Sequence, residues 1–80
     1  MNENLEKLRH CFADSLQVDL IEITDSLNQK SIAKWDSLAM ISLIVEIEAV
    51  FGVSFQVSEL TELNSFSAAV EALKRKGVSF

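Results

Sequence analysis

Apolar residues recur at Leu5, Leu8, Phe12 and Leu16, the spacing of one face of a helix. They predict a first helix over residues 3 to 16. From Val18 to Lys34 no helical stripe is sustained. Thr24-Asp25-Ser26 and Asn28 are turn formers. The scattered Val18, Ile21, Ile23, Leu27 and Ile32 are expected to pin a long loop onto the rest of the fold. A loop of this length in a small domain is uncommon and often functional. The pattern then reverses. Leu38 to Phe55 is the longest apolar stretch, interrupted only by Ser42, Glu46, Glu48, Gly52 and Ser54. It predicts a second helix, with Asp36 or Ser37 as its N-cap and Gly52 as its stop. Val53-Ser54-Phe55 reads as a packed linker. Ser58 to Leu63 reads as a short third helix capped by Ser58. A fourth helix, capped by Ser65 or Ser67, carries Phe66, Ala69, Val70 and Leu73 and runs to Lys76. The expected fold is all-α: one domain over residues 1–80, a small four-helix bundle with a long first loop and a short third helix.

The second helix is too apolar for an ordinary surface helix. Met40, Leu43, Ile44, Ile47 and Phe51 converge on one side, which is a core face. Leu38, Ile41 and Val45 form a second stripe, rotated from the first by roughly 130°. Ala39, Ser42 and Glu46 make the polar side. The second stripe is either core, with the helix wrapped on both sides, or a partly exposed docking patch, with Asp36 and Glu48 as its charged rim. The main core is expected from Leu5, Leu8, Phe12, Leu43, Ile44, Ile47, Phe51, Phe66 and Val70.

Composition narrows the function. Hydrophobic residues make up 49% of the 80 positions, enough to build a core. Seven basic against twelve acidic residues give a formal charge of −5, which argues against nucleic acid as a partner. No segment reads as a membrane span or a signal peptide, so a cytoplasmic protein is expected. Cys11 is the only cysteine, which excludes an internal disulfide and suits a reducing compartment. It reads as a small buried hydrophobe. Between Trp35 and Leu73 there is no Lys or Arg, but there are six acids. Lys74-Arg75-Lys76 follow, placed to favour a helix C-terminus rather than to form a binding patch.

Little in the chain could catalyse. A catalytic serine needs a base held by a third group. His10 is the only histidine and belongs to the first helix, with nothing tying it to Ser37. No catalytic residue, no metal site and no enzyme activity are expected. Ser37 stands at the mouth of the apolar helix, as a serine placed to be modified.

These residues resemble the acyl carrier protein family, which includes peptidyl and D-alanyl carriers. The resemblance spans nearly the whole chain. It rests on the first helix, the long loop, Asp36-Ser37-Leu38 before an apolar helix ending Ile47-Glu48-Ala49-Val50-Phe51-Gly52-Val53, the short third helix and the Ser65-Phe66 start of the fourth. It implies that Ser37 carries a 4′-phosphopantetheine arm donated by coenzyme A, attached by a phosphopantetheinyl transferase with magnesium. The arm would hold an acyl or aminoacyl group as a thioester. A loading enzyme and a downstream acyltransferase would be further partners, and the carrier itself would be a monomer. A phosphodiester suits a helix N-terminus, where free N–H groups and the dipole favour an anion. Lys34-Trp35 stand where many fatty-acid carriers have Gly and a small residue, and Ala39 and Ser42 stand where many have acids. The Trp-Asp-Ser-Leu form is similar to stand-alone carriers of dedicated pathways. Trp35 reads as a loop anchor on the bundle or as a contact for the cargo. The other function class open to the sequence is an unmodified helical interaction module using the Leu38, Ile41, Val45 face.

Overall fold

The computed structural model describes residues 3–32 and 35–80. Met1, Asn2, Ala33 and Lys34 lie outside them, and with them the last two positions of the expected first loop. The first helix, α1 (Glu3–Leu16), has the predicted bounds. Leu8, Phe12 and Leu16 are fully buried on it, with Cys11 and Ala13 beside them. It stops without a glycine. Gln17 takes a left-handed conformation (φ 56°), and the Val18 N–H turns back to the Ala13 carbonyl at 3.1 Å. This is the Schellman closure, made here by a residue that adopts αL at a cost of about 1 kcal/mol.

The long loop is partly structured. Leu20–Glu22 form one 3₁₀ turn, closed by Asp19 N–H donating to Glu22 Oε2 at 3.3 Å. In such a turn residues three apart eclipse. Leu20 and Ile23 therefore share the inward side, and Ile23 is fully buried. Ile21, expected to help pin the loop, points away and is 82% exposed. Farther on, the Phe66 N–H donates to Leu27 O and the Gln29 N–H to Asn64 O, at 3.0 and 2.8 Å. The single antiparallel bridge they frame, Asn28 to Ser65, fixes the loop to the start of the last helix. Among the described residues there is no strand.

The second helix, α2 (Ser37–Phe51), is capped by Asp36 and closed by Gly52 at φ 67°. The third, α3, spans Val57–Leu60 rather than Ser58 to Leu63, and its cap is Gln56, not Ser58. Glu59 decides this: its Oε1 accepts the Gln56 N–H at 3.0 Å, the return half of a capping box, which sets the helix start one residue before Ser58. The fourth, α4 (Phe66–Arg75), is capped by Ser65, whose Oγ accepts the Ala68 N–H at 3.0 Å. It closes through Gly77 at φ 94°, with Val78 N–H on Leu73 O.

The core is built from α1, α2, α4 and the loops, and α3 adds only the half-buried Leu60 at its margin. Leu43, Ile44 and Ile47 of α2 meet Leu8, Phe12 and Leu16 of α1. Leu5, Met40, Phe51 and Val70 are half-buried at its margin rather than at its centre. On α4 the buried stripe is Phe66, Ala69, Ala72 and Leu73, so Ala72 takes the place expected of Val70. Phe66, Ala69, Ala72 and Leu73 centre the inward face of α4, and Val70 falls on its flank, turned by roughly 90° from that centre. Val53 and Phe55 pack onto the core as the linker reading predicted.

Candidate functional site

The site is built where the loop meets α2. Asp36 is extended (φ −102°, ψ −170°), and its carboxylate accepts the Ala39 N–H at 2.9 Å. Its carbonyl accepts the first intrahelical bond, from the Met40 N–H. With Asp36 as the cap, Ser37 is the first helical residue and its hydroxyl is not used for capping. Ser37 is exposed. The N–H groups of Ser37 and Leu38 belong to the first turn, where an α-helix has no carbonyl to offer them. An exposed hydroxyl therefore stands beside backbone donors and the positive end of a 15-residue helix. These residues fit a phosphodiester on Ser37 Oγ, which needs an accessible oxygen and favourable surroundings for an anion.

The apolar stripe next to Ser37 faces outward. Leu38 is 76% exposed, Ile41 57% and Val45 60%, while Leu43, Ile44 and Ile47 are buried. The reading in which α2 is covered on both sides is thereby excluded. Val50, which the sequence reading did not single out, is also exposed. Glu48 is half-buried, and its Oε2 accepts the Phe55 N–H at 2.8 Å. It stitches the end of α2 to the following linker, so its carboxylate is less free than that of an open rim.

The remaining flank of α2 leans toward α1. Beside Ser37, an open groove of about 390 Å³ runs between Ser15, Leu16 and Gln17 on one side and Asp36, Leu38 and Ser42 on the other. Deeper along this seam Glu46 Oε2 is buried without a partner among the described residues. Burial, and then the charge of Asp14, raise the Glu46 pKa above the usual carboxylate value. Burial, followed by Glu46 and Asp14, pushes the Cys11 thiol up to about 12. Cys11 is thus the buried hydrophobe that the sequence suggested.

Trp35 precedes the site. It is 3% exposed, and its ring meets Phe12 edge-on at 5.5 Å between centroids. Its reading as an anchor on the bundle holds. His10 is exposed on α1 and shares no hydrogen bond with Ser37. The three C-terminal cations do more than complement a dipole. Lys76 reaches Glu59 at 2.9 Å and lies over the Phe55 ring, Arg75 reaches Glu62 at 3.4 Å, and Lys74 pairs with Glu71. Two of these contacts tie α4 to the α3 region, a pairing that no local pattern in the sequence announces. Among the described residues no cluster of His, Cys, Asp and Glu could hold a metal ion. No helix among them is long and apolar enough to cross a membrane.

Residues 6–73 match the family model described as a phosphopantetheine attachment site. The chain is 34% identical over 71 residues to the polyketide-8 synthase acyl carrier protein 2 of Streptomyces avermitilis, covering 89% of this chain and 82% of the relative. It is 32% identical over 69 residues to the acyl carrier protein of Rubrobacter xylanophilus, covering 86% and 85% of the two chains. With the acyl carrier protein of Petrotoga mobilis the identity is 31% over 75 residues, covering 94% and 88%.

Proposed function

The chain belongs to the acyl carrier protein family, and we propose that Ser37 is where its 4′-phosphopantetheine arm is attached. The observation that carries this reading is the division of roles at the start of α2. Asp36 caps the helix, and the Ser37 hydroxyl is left exposed beside unpaired first-turn donors. A phosphopantetheinyl transferase would take the Ser37 proton as Oγ bonds to the phosphorus of coenzyme A, with adenosine bisphosphate leaving. The arm supplies a terminal thiol that holds the cargo as a thioester. Ser37 then fixes the tether, and α2 presents it.

The partners of this reading are the transferase, a loading enzyme for an acyl or aminoacyl group and a downstream acyltransferase. Leu38, Ile41 and Val45 are the proposed docking residues, with Glu48 at their edge. Their exposure beside Ser37 supports this. A dedicated biosynthetic pathway is favoured over housekeeping fatty-acid synthesis. Ala39 and Ser42 in place of acids support it, as does the likeness to a carrier named for a polyketide synthase. A cytoplasmic monomer is the setting proposed.

Intact mass spectrometry after incubation with coenzyme A and a broad-specificity transferase tests the assignment. One arm should add to the wild type and none to Ser37→Ala, and peptide mapping should place it on Ser37. An arm mapped to another serine would sink the assignment, and no addition at all would favour an unmodified interaction module.

A further inference from the structure

The Trp35 carbonyl is the last backbone acceptor before the cap of α2. In a regular helix its donor would be the N–H four residues on, that of Ala39. Such a bond would carry α2 back by one residue and make Asp36 helical, at the expense of its place as cap. Both groups are engaged elsewhere. The Ala39 N–H donates to the Asp36 carboxylate at 2.9 Å. The Trp35 carbonyl accepts the side chain of Gln29, whose Nε2 donates to it at 3.3 Å from six residues upstream. Gln29 is itself held from behind. Its own N–H donates to Asn64 O at 2.8 Å, and Leu27 O accepts the Phe66 N–H at 3.0 Å. Its side chain therefore braces the entry of α2 against the start of α4. Gln29 is exposed as a residue, so removing its donor takes away this bond without opening a hole in the core.

We infer that Gln29 is a positioning residue for Ser37. By occupying the Trp35 carbonyl it fixes where α2 begins, with Ser37 as the first helical residue and its hydroxyl at a set place beside the first-turn N–H groups. The inference rests on attachment at Ser37 and adds to it a residue that acts through the backbone. Attachment needs Ser37 Oγ aligned with the phosphorus of coenzyme A. A misplacement of about 1 Å at such a step can cost about 100-fold in rate. The outward face of Leu38, Ile41 and Val45 lies beyond the braced peptide. Loss of the Gln29 donor should therefore slow the chemical step and leave recognition of the carrier intact.

The test compares wild type with four variants of the unmodified carrier. Gln29→Ala and Gln29→Glu remove the donor, the second at nearly unchanged size, and Gln29→Lys keeps a donor. Asn28→Ala is the loop control: it removes the Oδ1 that accepts the Lys30 N–H at 2.9 Å and leaves the bond to Trp35 alone. Each carrier is mixed with coenzyme A and excess broad-specificity transferase at several transferase concentrations. Intact mass then follows the single turnover, which separates the maximal rate from the half-saturating concentration. Gln29→Ala and Gln29→Glu should lower the maximal rate about tenfold, with half-saturation within about twofold. Gln29→Lys and Asn28→Ala should stay within about twofold of wild type in both. Loss of one exposed bond should lower the melting midpoint by no more than about 8 °C, so the assay runs on folded protein. If a donor-free variant melts below the assay temperature, Gln29→Met, which keeps the length without the donor, replaces it. Wild-type maximal rates in the donor-free variants would overturn the inference and leave Ser37 as the attachment site. So would an equal loss in Asn28→Ala or Gln29→Lys, or a loss confined to half-saturation. A wild type that gains no mass at Ser37 overturns the attachment reading and this inference together.

Discussion

Asp36 and Ser37 divide one task between them. A helix start needs a side-chain acceptor, and a modifiable serine needs a free hydroxyl; one residue cannot supply both at once. Asp36 accepts the Ala39 N–H, so Ser37 is released from capping. The consequence is an ordering of variants. Asp36→Ala should cost the unmodified protein about 1 kcal/mol, the usual loss of a good cap, and Ser37→Ala only a few tenths. Urea denaturation of the two variants measures this, and the opposite ordering would identify Ser37 as the cap. The sequence left the two residues as equal candidates because both types cap well. Only the backbone geometry, extended at Asp36 and helical from Ser37, separates them.

At the scale of elements, α2 carries a core face and a second apolar stripe, both legible in the spacing of its residues, but the spacing left open whether the second was covered, and only its exposure shows it facing outward. The outward face lacks charge between Leu38 and Val45. Partner docking should therefore depend on apolar anchors more than on a rim carboxylate. Ile41→Asp or Val45→Asp should slow loading by the cognate enzyme more than Glu48→Ala does, with helical circular dichroism retained. Loading rate against carrier concentration decides it; a larger effect from Glu48→Ala would remove the docking assignment. The boundary of α3 was not legible, because it depends on Glu59, whose side chain is engaged both by the Gln56 N–H and by Lys76 from a distant helix. Those contacts, the Gln56 bond first, lower the Glu59 pKa. Its contribution to stability is present above the ordinary value of 4.5 and is lost as the pH falls through the lowered one. Glu46 has the opposite sign: its contribution is complete below 4.5 and is lost as the pH rises through the raised value. At pH 7 Glu59→Gln should lower the melting midpoint and Glu46→Gln should raise it, and both differences should shrink in acid. Midpoints that move the same way at pH 7 would contradict the two environments described.

Over the whole molecule, the helix order and most of the α1–α2 core followed from periodicity alone. The contribution of the loop did not. Ile23, Leu27 and Trp35 are buried as deeply as helical core residues, yet they lie in a segment with no repeating pattern. The inward direction of Ile23 and Leu27 is set by one 3₁₀ turn and by the pairing of Leu27–Gln29 with Asn64–Phe66, and Trp35 is held by its N–H on Ile32 O and by Gln29 Nε2 donating to its carbonyl. Ile47, fully buried at the centre of α2, tests the core that was legible. Ile47→Ala should cost on the order of 2–5 kcal/mol, a large share of the stability of so small a domain. A nearly unchanged melting curve would show that the α1–α2 contact is not central. The same core shapes the chemistry of the carrier in a less direct way. Thiolates, not thiols, attack electrophiles, and Cys11 lies under α2 with its pKa pushed up to about 12. The polypeptide's own thiol is thereby withdrawn from reaction, and a thioester on the arm has no internal thiolate to migrate to. A maleimide applied to the folded protein at pH 7 should label the unmodified chain negligibly, the chain with a free arm once, and the acylated chain negligibly again. Rapid labelling of the unmodified chain would show that Cys11 is not shielded. With Cys11 silent, the label counts the arms that stand unloaded.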